Sequence, residues 1–364
     1  MCLSPQLIKN PLYKRDFFGV GKYKKPIPDY MKLIKNYNDQ YIYVPCGRCA
    51  ECLQAKQNSF IQRAVMECHF SHMFFITLTY NNESLPQVAD SHGVVYKYPE
   101  SGDVQKMFKR IRQANSIGRE FTYSAHSEYG GRKHRPHWHI MLFVEKYDKD
   151  TYMDIINLES KLWHLFFNEW KRNYGSDKKP IWKSLFTYAK RGKFSNYDCH
   201  YVNPISSLNG EMDVAYYVSK YLLKVSNYEV ALMIRLRDEL EYTEYREIRS
   251  KIRCKHLVSK HFGFSSFDAI NYIQDCIKHS LINDLAYPEF INPLTGRHYP
   301  LARYYKEKCL TINDRIEFAK NGDTYDGYKT WSIDYNKNTQ FKHDRFKRVK
   351  KKIEDRDSDF YELF

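Results

Sequence analysis

No apolar run in the sequence approaches the roughly 20 residues a helix needs to cross a bilayer, and the mean hydropathy is −0.68. The opening stretch Met1–Phe18 carries Pro and Lys where a secretory signal needs unbroken apolar chain, so export is not expected. There are no internal repeats and no low-complexity tract, which excludes a repeat array. The nine cysteines are an odd count in a chain without an export signal, so a disulfide framework is not expected either. Acidic residues are in deficit: 43 Asp+Glu stand against 58 Lys+Arg, a formal charge of +15 over 364 residues. What the chain does hold is apolar residues at 43% and aromatics at 16%, enough to exclude wholesale disorder and to build one large domain or two ordinary ones. A basic surplus combined with 32 Tyr and 22 Phe points to an anionic partner that can also be stacked upon, which is the description of nucleic acid.

Residues 1–45 are basic, rich in Pro and Tyr and without a sustained period, and are expected to form an extended arm. A helix is predicted from the cysteine cluster at 46–52 through Glu67, and the β-branched, aromatic run Met73–Tyr80 predicts a strand. Asp103 or Ser101 is expected to cap a basic helix to about Ala114, with Val104, Met107, Phe108 and Ile111 on one face. Residues 121–128 and 137–144 read as a hairpin around the Gly- and Arg/Lys-rich turn 129–136. A helix over about 149–172 should bury Ile156, Leu162, Trp163, Phe166 and Trp170, and another should span about 211–225. Segment 173–208 reads as a basic loop, 228–252 and 266–281 as helical, and 283–340 as irregular. A tail rich in Lys and Arg from Lys342 to Lys352 then turns acidic.

Two patterns carry chemistry. Strand alternation puts His137, His139, Met141 and Phe143 on one face and Trp138, Ile140, Leu142 and Val144 on the other. Two imidazoles at i and i+2 can share a metal ion. If Glu128 lies opposite His137, then His126 lies opposite His139 and all four side chains share that face, whereas a one-residue slip breaks the set. One carboxylate and two imidazoles leave coordination positions open, as a metal that polarises a phosphate requires. The plain alternative is two histidines filling a polar sheet face. A histidine-triad hydrolase is excluded because position 141 is Met. Tyr217 and Tyr221 lie four apart in the predicted helix, on the side away from the stripe Ala215, Val218, Leu222 and Val225, with Lys220 and Lys224 nearby. A phenol that attacks phosphorus conserves the bond energy as a phosphotyrosine, and a neighbouring Lys can stabilise the developing charge. With so many tyrosines, two packing residues at this spacing are the competing explanation.

In order along the chain, Phe75-Ile76-Thr77-Leu78-Thr79-Tyr80, then Glu128-Tyr129-Gly130 with Arg135-Pro136-His137-Trp138-His139, then Tyr217-Val218-Ser219-Lys220-Tyr221-Leu222-Leu223-Lys224 resemble the three motifs of the HUH endonucleases. The likeness is strongest to the rolling-circle replication initiators of microviruses, bacteriophages with circular single-stranded DNA. Cys46-Gly47-Arg48-Cys49 with Cys52, Ser259-Lys260 with Gly263, and Arg303-Tyr304-Tyr305 extend it over most of the chain, while His261-Phe262-Gly263-Phe264 departs from the Pro-Gly-Ile-Gly of relatives. The resemblance implies an α+β fold, a central antiparallel sheet flanked by helices with the histidine strand in its middle. It implies an arm and metal-stabilised segment over 1–70, an endonuclease core over 71–226 and a helical, irregular and basic region over 227–364. Glu128, His137 and His139 are implied as ligands of Mg²⁺ or Mn²⁺, with His126 a rival for the carboxylate's place. Tyr217 and Tyr221 are implied as nucleophiles assisted by Lys220, and Arg132, Lys133, Arg135 and Lys224 are expected to contact DNA. The expected activity is nicking and rejoining of origin DNA in the host bacterial cytoplasm, with a host polymerase and helicase as partners. A two-tyrosine transposase and a non-catalytic DNA-binding protein are the alternatives.

Cys46, Cys49 and Cys52 have the spacing of thiolates around one tetrahedral ion. A structural Zn²⁺ is expected, with Cys2 as fourth ligand and Cys68 or His69 as substitutes; an iron–sulfur cluster is the weaker alternative.

Overall fold

The computed structural model describes residues 6–10, 13–14, 17–18, 25–26, 40–47, 49–131, 133–186, 197–203 and 227–324. The predicted tyrosine helix at 211–225 and the basic tail from Lys342 lie outside them, as do Cys2, Arg132, Tyr217, Lys220, Tyr221 and Lys224. The chain divides into two units. One covers Phe60–Asn271 with Asn292–Arg297, and the other takes its residues from 1–59, 272–291 and from 298 onward. No helix among the described residues is long and apolar enough to cross a membrane.

The first unit is α+β and is built on a five-stranded antiparallel sheet. Its strands are β1 (Ser71–Thr79), β2 (Phe121–Tyr129), β3 (Pro136–Glu145), β4 (Asp198–Val202) and β5 (His256–Val258), in the spatial order β4-β1-β3-β2-β5. The histidine strand β3 is central. Its side chains Trp138, Ile140, Leu142 and Val144 are fully buried with Phe74, Ile76 and Leu78 of β1, beneath the helices α2 (Ser101–Gln113) and α3 (Tyr152–Glu169). Residues from Phe60 on in the helix α1 (Ala50–Phe70) cover part of the opposite face: Phe60 and Phe143 both meet Phe262, and the Cys68 thiol reaches Met73 Sδ at 3.8 Å. Glu67 is buried there, accepts from Thr122 Oγ1 at 2.6 Å and from the Gly263 amide, and burial raises its pKa. A second apolar cluster in this unit joins Tyr96 to Leu232, Leu236, Leu240, Ile248 and Ile252.

The α2 stripe of Val104, Met107, Phe108 and Ile111 is buried as the spacing predicts, but its N-cap is Glu100, whose carboxylate accepts from the Gly102 amide. Asp103 is instead held by both ends of the Arg172 guanidinium. In α3 the buried stripe is Leu158, Leu162 and Phe166, with Trp170 buried at the C-cap; Ile156 is 41% exposed, because the spacing of four that packs on the sheet starts at 158. The segment 173–208 is not only loop: it closes a hairpin, Lys171–Asn173 with Trp182–Ser184, and supplies the edge strand β4. The stretch 228–252 is two helices, Asn227–Glu239 and Tyr242–Ile252. In the second unit the arm is partly paired, Gln6–Lys9 against Tyr41–Val44, and the region expected to be irregular forms the hairpin Glu289–Ile291 with His298–Pro300 and the helices Arg303–Cys309 and Ile312–Thr324.

A polar network ties the far end of the sheet. Asp150 accepts two hydrogen bonds from Arg119 at 2.5 and 2.8 Å, one from His72 at 2.8 Å and one from the Tyr147 amide at 3.0 Å. The Arg119 guanidinium, outweighing burial, holds this carboxyl well below the usual carboxylate range. Asp150→Ala is expected to cost about 3 kcal/mol in urea unfolding at pH 7, because Arg119 and His72 lose their buried partner. A depressed carboxyl contributes stability above its unfolded pKa of about 4 and loses it as the pH falls, so the difference from wild type should shrink in melts run towards pH 3.

Candidate functional site

The register along β2 and β3 pairs Glu128 with His137 and His126 with His139, and β1 adds Thr79 opposite His137 and Thr77 opposite His139. Burial of Trp138 on the back face fixes this register, since a slip of one residue would expel a fully buried indole worth about 4–6 kcal/mol of transfer free energy. On the front face Met141 and Phe143 are buried, whereas His137 and His139 keep partial exposure. Burial thus falls along the face towards the histidines. There a groove of about 570 Å³ is lined by Thr77, Thr79, Gly130, Lys133, His137 and Asp198, among others.

Three ligand atoms converge beside the groove. Glu128 Oε1 lies 2.7 Å from His137 Nε2 and 3.0 Å from His139 Nε2, and the two nitrogens are 3.1 Å apart. Each ring is oriented from behind. His137 Nδ1 faces the Arg135 carbonyl at 3.1 Å, an acceptor only, so Nδ1 carries a proton and Nε2 is the nitrogen left for a cation. His139 Nδ1 meets Thr77 Oγ1 at 3.2 Å, and its ring stacks on Phe75 with centroids 5.3 Å apart. Burial works against ionisation of Glu128, but the hydrogen bonds from His137 and His139 outweigh it and hold its pKa at about 2. A carboxylate so stabilised by two converging donors suits replacement of their protons by a divalent cation, and the donor set fits one.

His126 is turned to other work. Its Nε2 is 3.0 Å from Ser124 Oγ and its ring stacks on His256 at 3.9 Å. Arg135 lines the groove, but its guanidinium is spent on the Tyr80 carbonyl and on Asn82 Oδ1, the latter at 2.7 Å. It therefore braces the end of β1. Lys133 also lines the groove. Sequence reasoning assigned no role to Thr77, Thr79 or Asp198, although Thr at alternate positions of β1 was a legible sign of a shared polar face. Asp198 pairs across β4 with Thr77 and accepts from His200 Nδ1 at 2.9 Å.

In the other unit Cys46, Cys49 and Cys52 form a group whose sulfurs lie within 4.8 Å of one another. The Cys49 amide donates to Cys46 Sγ at 3.3 Å, and the turn between them needs Gly47 at φ +71°. An amide directed at sulfur stabilises a thiolate, so this group too fits a metal ion. The substitutes for a fourth ligand differ in setting: Cys68 is buried in the sheet unit with its pKa raised by burial, and His69 packs edge-on to Phe70.

Residues 73–226 match the family model of the replication-associated protein ORF2 type. The chain is 32% identical over 150 residues to a replication-associated protein ORF2 of Spiroplasma virus 4, covering 39% of this chain and 44% of the relative. It is 31% identical over 102 residues to a replication-associated protein ORF4 of Chlamydia phage 1, covering 28% and 24%. A replication-associated protein VP4 of Bdellovibrio phage phiMH2K is 29% identical over 109 residues, covering 27% and 31%. The aligned stretches thus span less than half of each relative. No solved structure matches the chain. The likeness to phage replication proteins rests on the part of the chain that holds the Glu128, His137 and His139 cluster.

Proposed function

We propose that this chain, whose residues 73–226 match the replication-associated protein ORF2 family, is a rolling-circle replication initiator of a bacteriophage, acting in the cytoplasm of its bacterial host. The observation that carries the reading is the convergence of Glu128, His137 and His139 on a central strand beside a basic groove. The sheet is then an HUH endonuclease core over 71–226, preceded by an arm with its own metal segment and followed by a helical, basic region. Mg²⁺ or Mn²⁺ held by the three side chains would polarise the scissile phosphate as a Lewis acid. Thr77 and the Arg135 carbonyl orient the two rings. Lys133, with Arg132 and Lys224, neutralises the strand backbone. The hydroxyl of Tyr217 or Tyr221 attacks phosphorus, the bond to the 3′ oxygen breaks, and the 5′ phosphate stays on the tyrosine while the 3′ hydroxyl is freed for a host polymerase. Lys220 stabilises the charge on the pentacoordinate phosphorus.

The test is incubation with the single-stranded and supercoiled forms of the genome that encodes the protein, with Mg²⁺ or Mn²⁺. One mapped nick with protein on the 5′ end is expected. Binding without strand cleavage under either metal would make the protein a non-catalytic DNA-binding protein, and cleavage at transposon ends in place of an origin would make it a transposase.

The three clustered cysteines, with Cys2, are assigned a structural Zn²⁺. Elemental analysis of reduced protein should give about one zinc per chain, and Cys49→Ser should lower the melting temperature more than Cys276→Ser, because structural zinc contributes to folding directly. Iron with visible absorption would replace this assignment by a cluster.

A further inference from the structure

The hairpin that the sequence concealed in its basic loop, Lys171–Asn173 paired with Trp182–Ser184, carries two aromatic rings that the fold leaves open. Trp182 is 45% exposed and Tyr174 46%. Neither ring belongs to an apolar core; each is bordered by cations. Arg110 Cζ lies 4.8 Å and Lys171 Nζ 5.4 Å from the Trp182 centroid, while Lys183 Nζ and Arg172 Cζ lie 5.4 and 5.8 Å from that of Tyr174. The inner cations are fixed by the fold: Arg110 and Lys171 both bind Glu169, and Arg172 binds Asp103. The outer ones are not, since among the described residues no carboxylate pairs with Lys178, Lys179 or Lys183. Residues 171–183 include five basic side chains (Lys171, Arg172, Lys178, Lys179, Lys183) against one acidic side chain, Asp177.

The hairpin is preorganised and anchored. Asn173 Oδ1 accepts from the amides of Gly175 and Ile181, both at 2.9 Å, and a Cβ at Gly175 would overlap Lys179 O and Ile181 N. At its base, Trp170 Nε1 donates to Thr79 O at 2.6 Å, and Asn81 Nδ2 donates to Ser184 O at 3.0 Å. Thr79 is the register partner of His137. The hairpin therefore stands at the same end of the sheet as the histidines.

We propose that this hairpin binds single-stranded DNA flanking the strand in the groove, with bases stacking on Trp182 and Tyr174 and phosphates meeting Lys178, Lys179 and Lys183. Isolated open rings set among cations suit unpaired bases on a phosphate backbone, because every base has a face to stack and every linkage a charge to neutralise. A duplex keeps its bases stacked on one another and offers the rings nothing. This surface deepens the replication-initiator reading and rests on it.

The experiment measures anisotropy of fluorescein-labelled (dT)15 and of a 15-base-pair duplex on the full chain in excess EDTA, which separates binding from cleavage. The variant Trp182→Ala/Tyr174→Ala should bind (dT)15 about tenfold more weakly or worse, from the loss of two stacked bases. Trp182→Phe should retain most of the affinity, and duplex binding should change little. Equal (dT)15 binding by wild type and double variant, or an equal loss on the duplex, would overturn the proposal. Where circular dichroism finds the double variant misfolded, photocrosslinking of wild type to 5-iododeoxyuridine DNA decides: an adduct on Trp182 or Tyr174 supports the surface, and adducts only elsewhere refute it. The two readings separate cleanly. Wild type that nicks its genome while the double variant binds and nicks equally well sinks the hairpin alone. Ring-dependent binding by a protein that never nicks supports the hairpin and sinks the nickase.

Discussion

His137→Ala and His139→Ala should each lower the nicking rate by at least about a thousandfold, the scale of several kcal/mol of lost charge stabilisation at the phosphate. Binding of single-stranded DNA should survive, because neither imidazole anchors the fold: the strand is held from its back face by Trp138, Ile140, Leu142 and Val144. Excess EDTA should reproduce the loss in wild type, and Mg²⁺ or Mn²⁺ should restore activity there but not in the variants. The third position is tested by ranking. Glu128→Ala removes the oxygen 2.7 and 3.0 Å from the two nitrogens and should be as damaging as either histidine change. His126→Ala removes a ring that stacks on His256 at 3.9 Å and packs against Phe60, so its effect should fall on stability and not on the rate. Full activity in EDTA would end the metal reading, and the reverse ranking of Glu128 and His126 would reassign the third ligand.

The Glu128, His137 and His139 cluster was legible because its information is local. A short turn, a period of two and a bulky residue at 138 suffice to set a hairpin register, and the register brings the three side chains together. The sheet's edges were illegible for the opposite reason. Asp198–Val202 pairs with a strand about 120 residues earlier, and His256–Val258 with one about 130 residues earlier, so the decisive partners lie far outside any periodic window. Their own patterns are weak, with charged and polar residues where a central strand would be apolar. Helix α3 shows a finer failure. Periodicity located a helix there, but Ile156 and Leu158 are both reasonable starts for the buried stripe, and packing against the sheet chose the second. The cap of α2 was misassigned because Asp103 has a better use, as the partner of Arg172. That same ion pair steadies the hairpin whose rings were invisible in a stretch read as loop.

Removing both hydroxyls at 217 and 221 should abolish covalent attachment to DNA altogether. The argument begins with the tyrosines that can be set aside. Near the groove, Tyr197 donates its hydroxyl to Trp163 O at 2.5 Å, Tyr129 to Ile252 O at 2.5 Å and Tyr80 to Glu100 O at 3.3 Å. Burial raises the pKa of all three, so each is committed as a donor and poor as a nucleophile. Tyr197→Phe should therefore leave adduct formation in place. Tyr217 and Tyr221 are spaced one helical turn apart, so either phenol can be presented to the same phosphate, in alternation. A single Tyr→Phe protein should still form an adduct, at a reduced rate, and should fail to complete repeated rounds for want of a second nucleophile. The double Phe protein should bind DNA and metal normally, since only two oxygens are gone, and form none. Mass spectrometry of the trypsin-digested wild-type adduct should find the nucleotide on Tyr221-Leu222-Leu223-Lys224 or on the peptide ending at Lys220. Tyr216 shares that second peptide with Tyr217, so fragmentation must separate them. An adduct on Tyr216 or Tyr197, or one persisting in the double Phe protein, would move the nucleophile elsewhere.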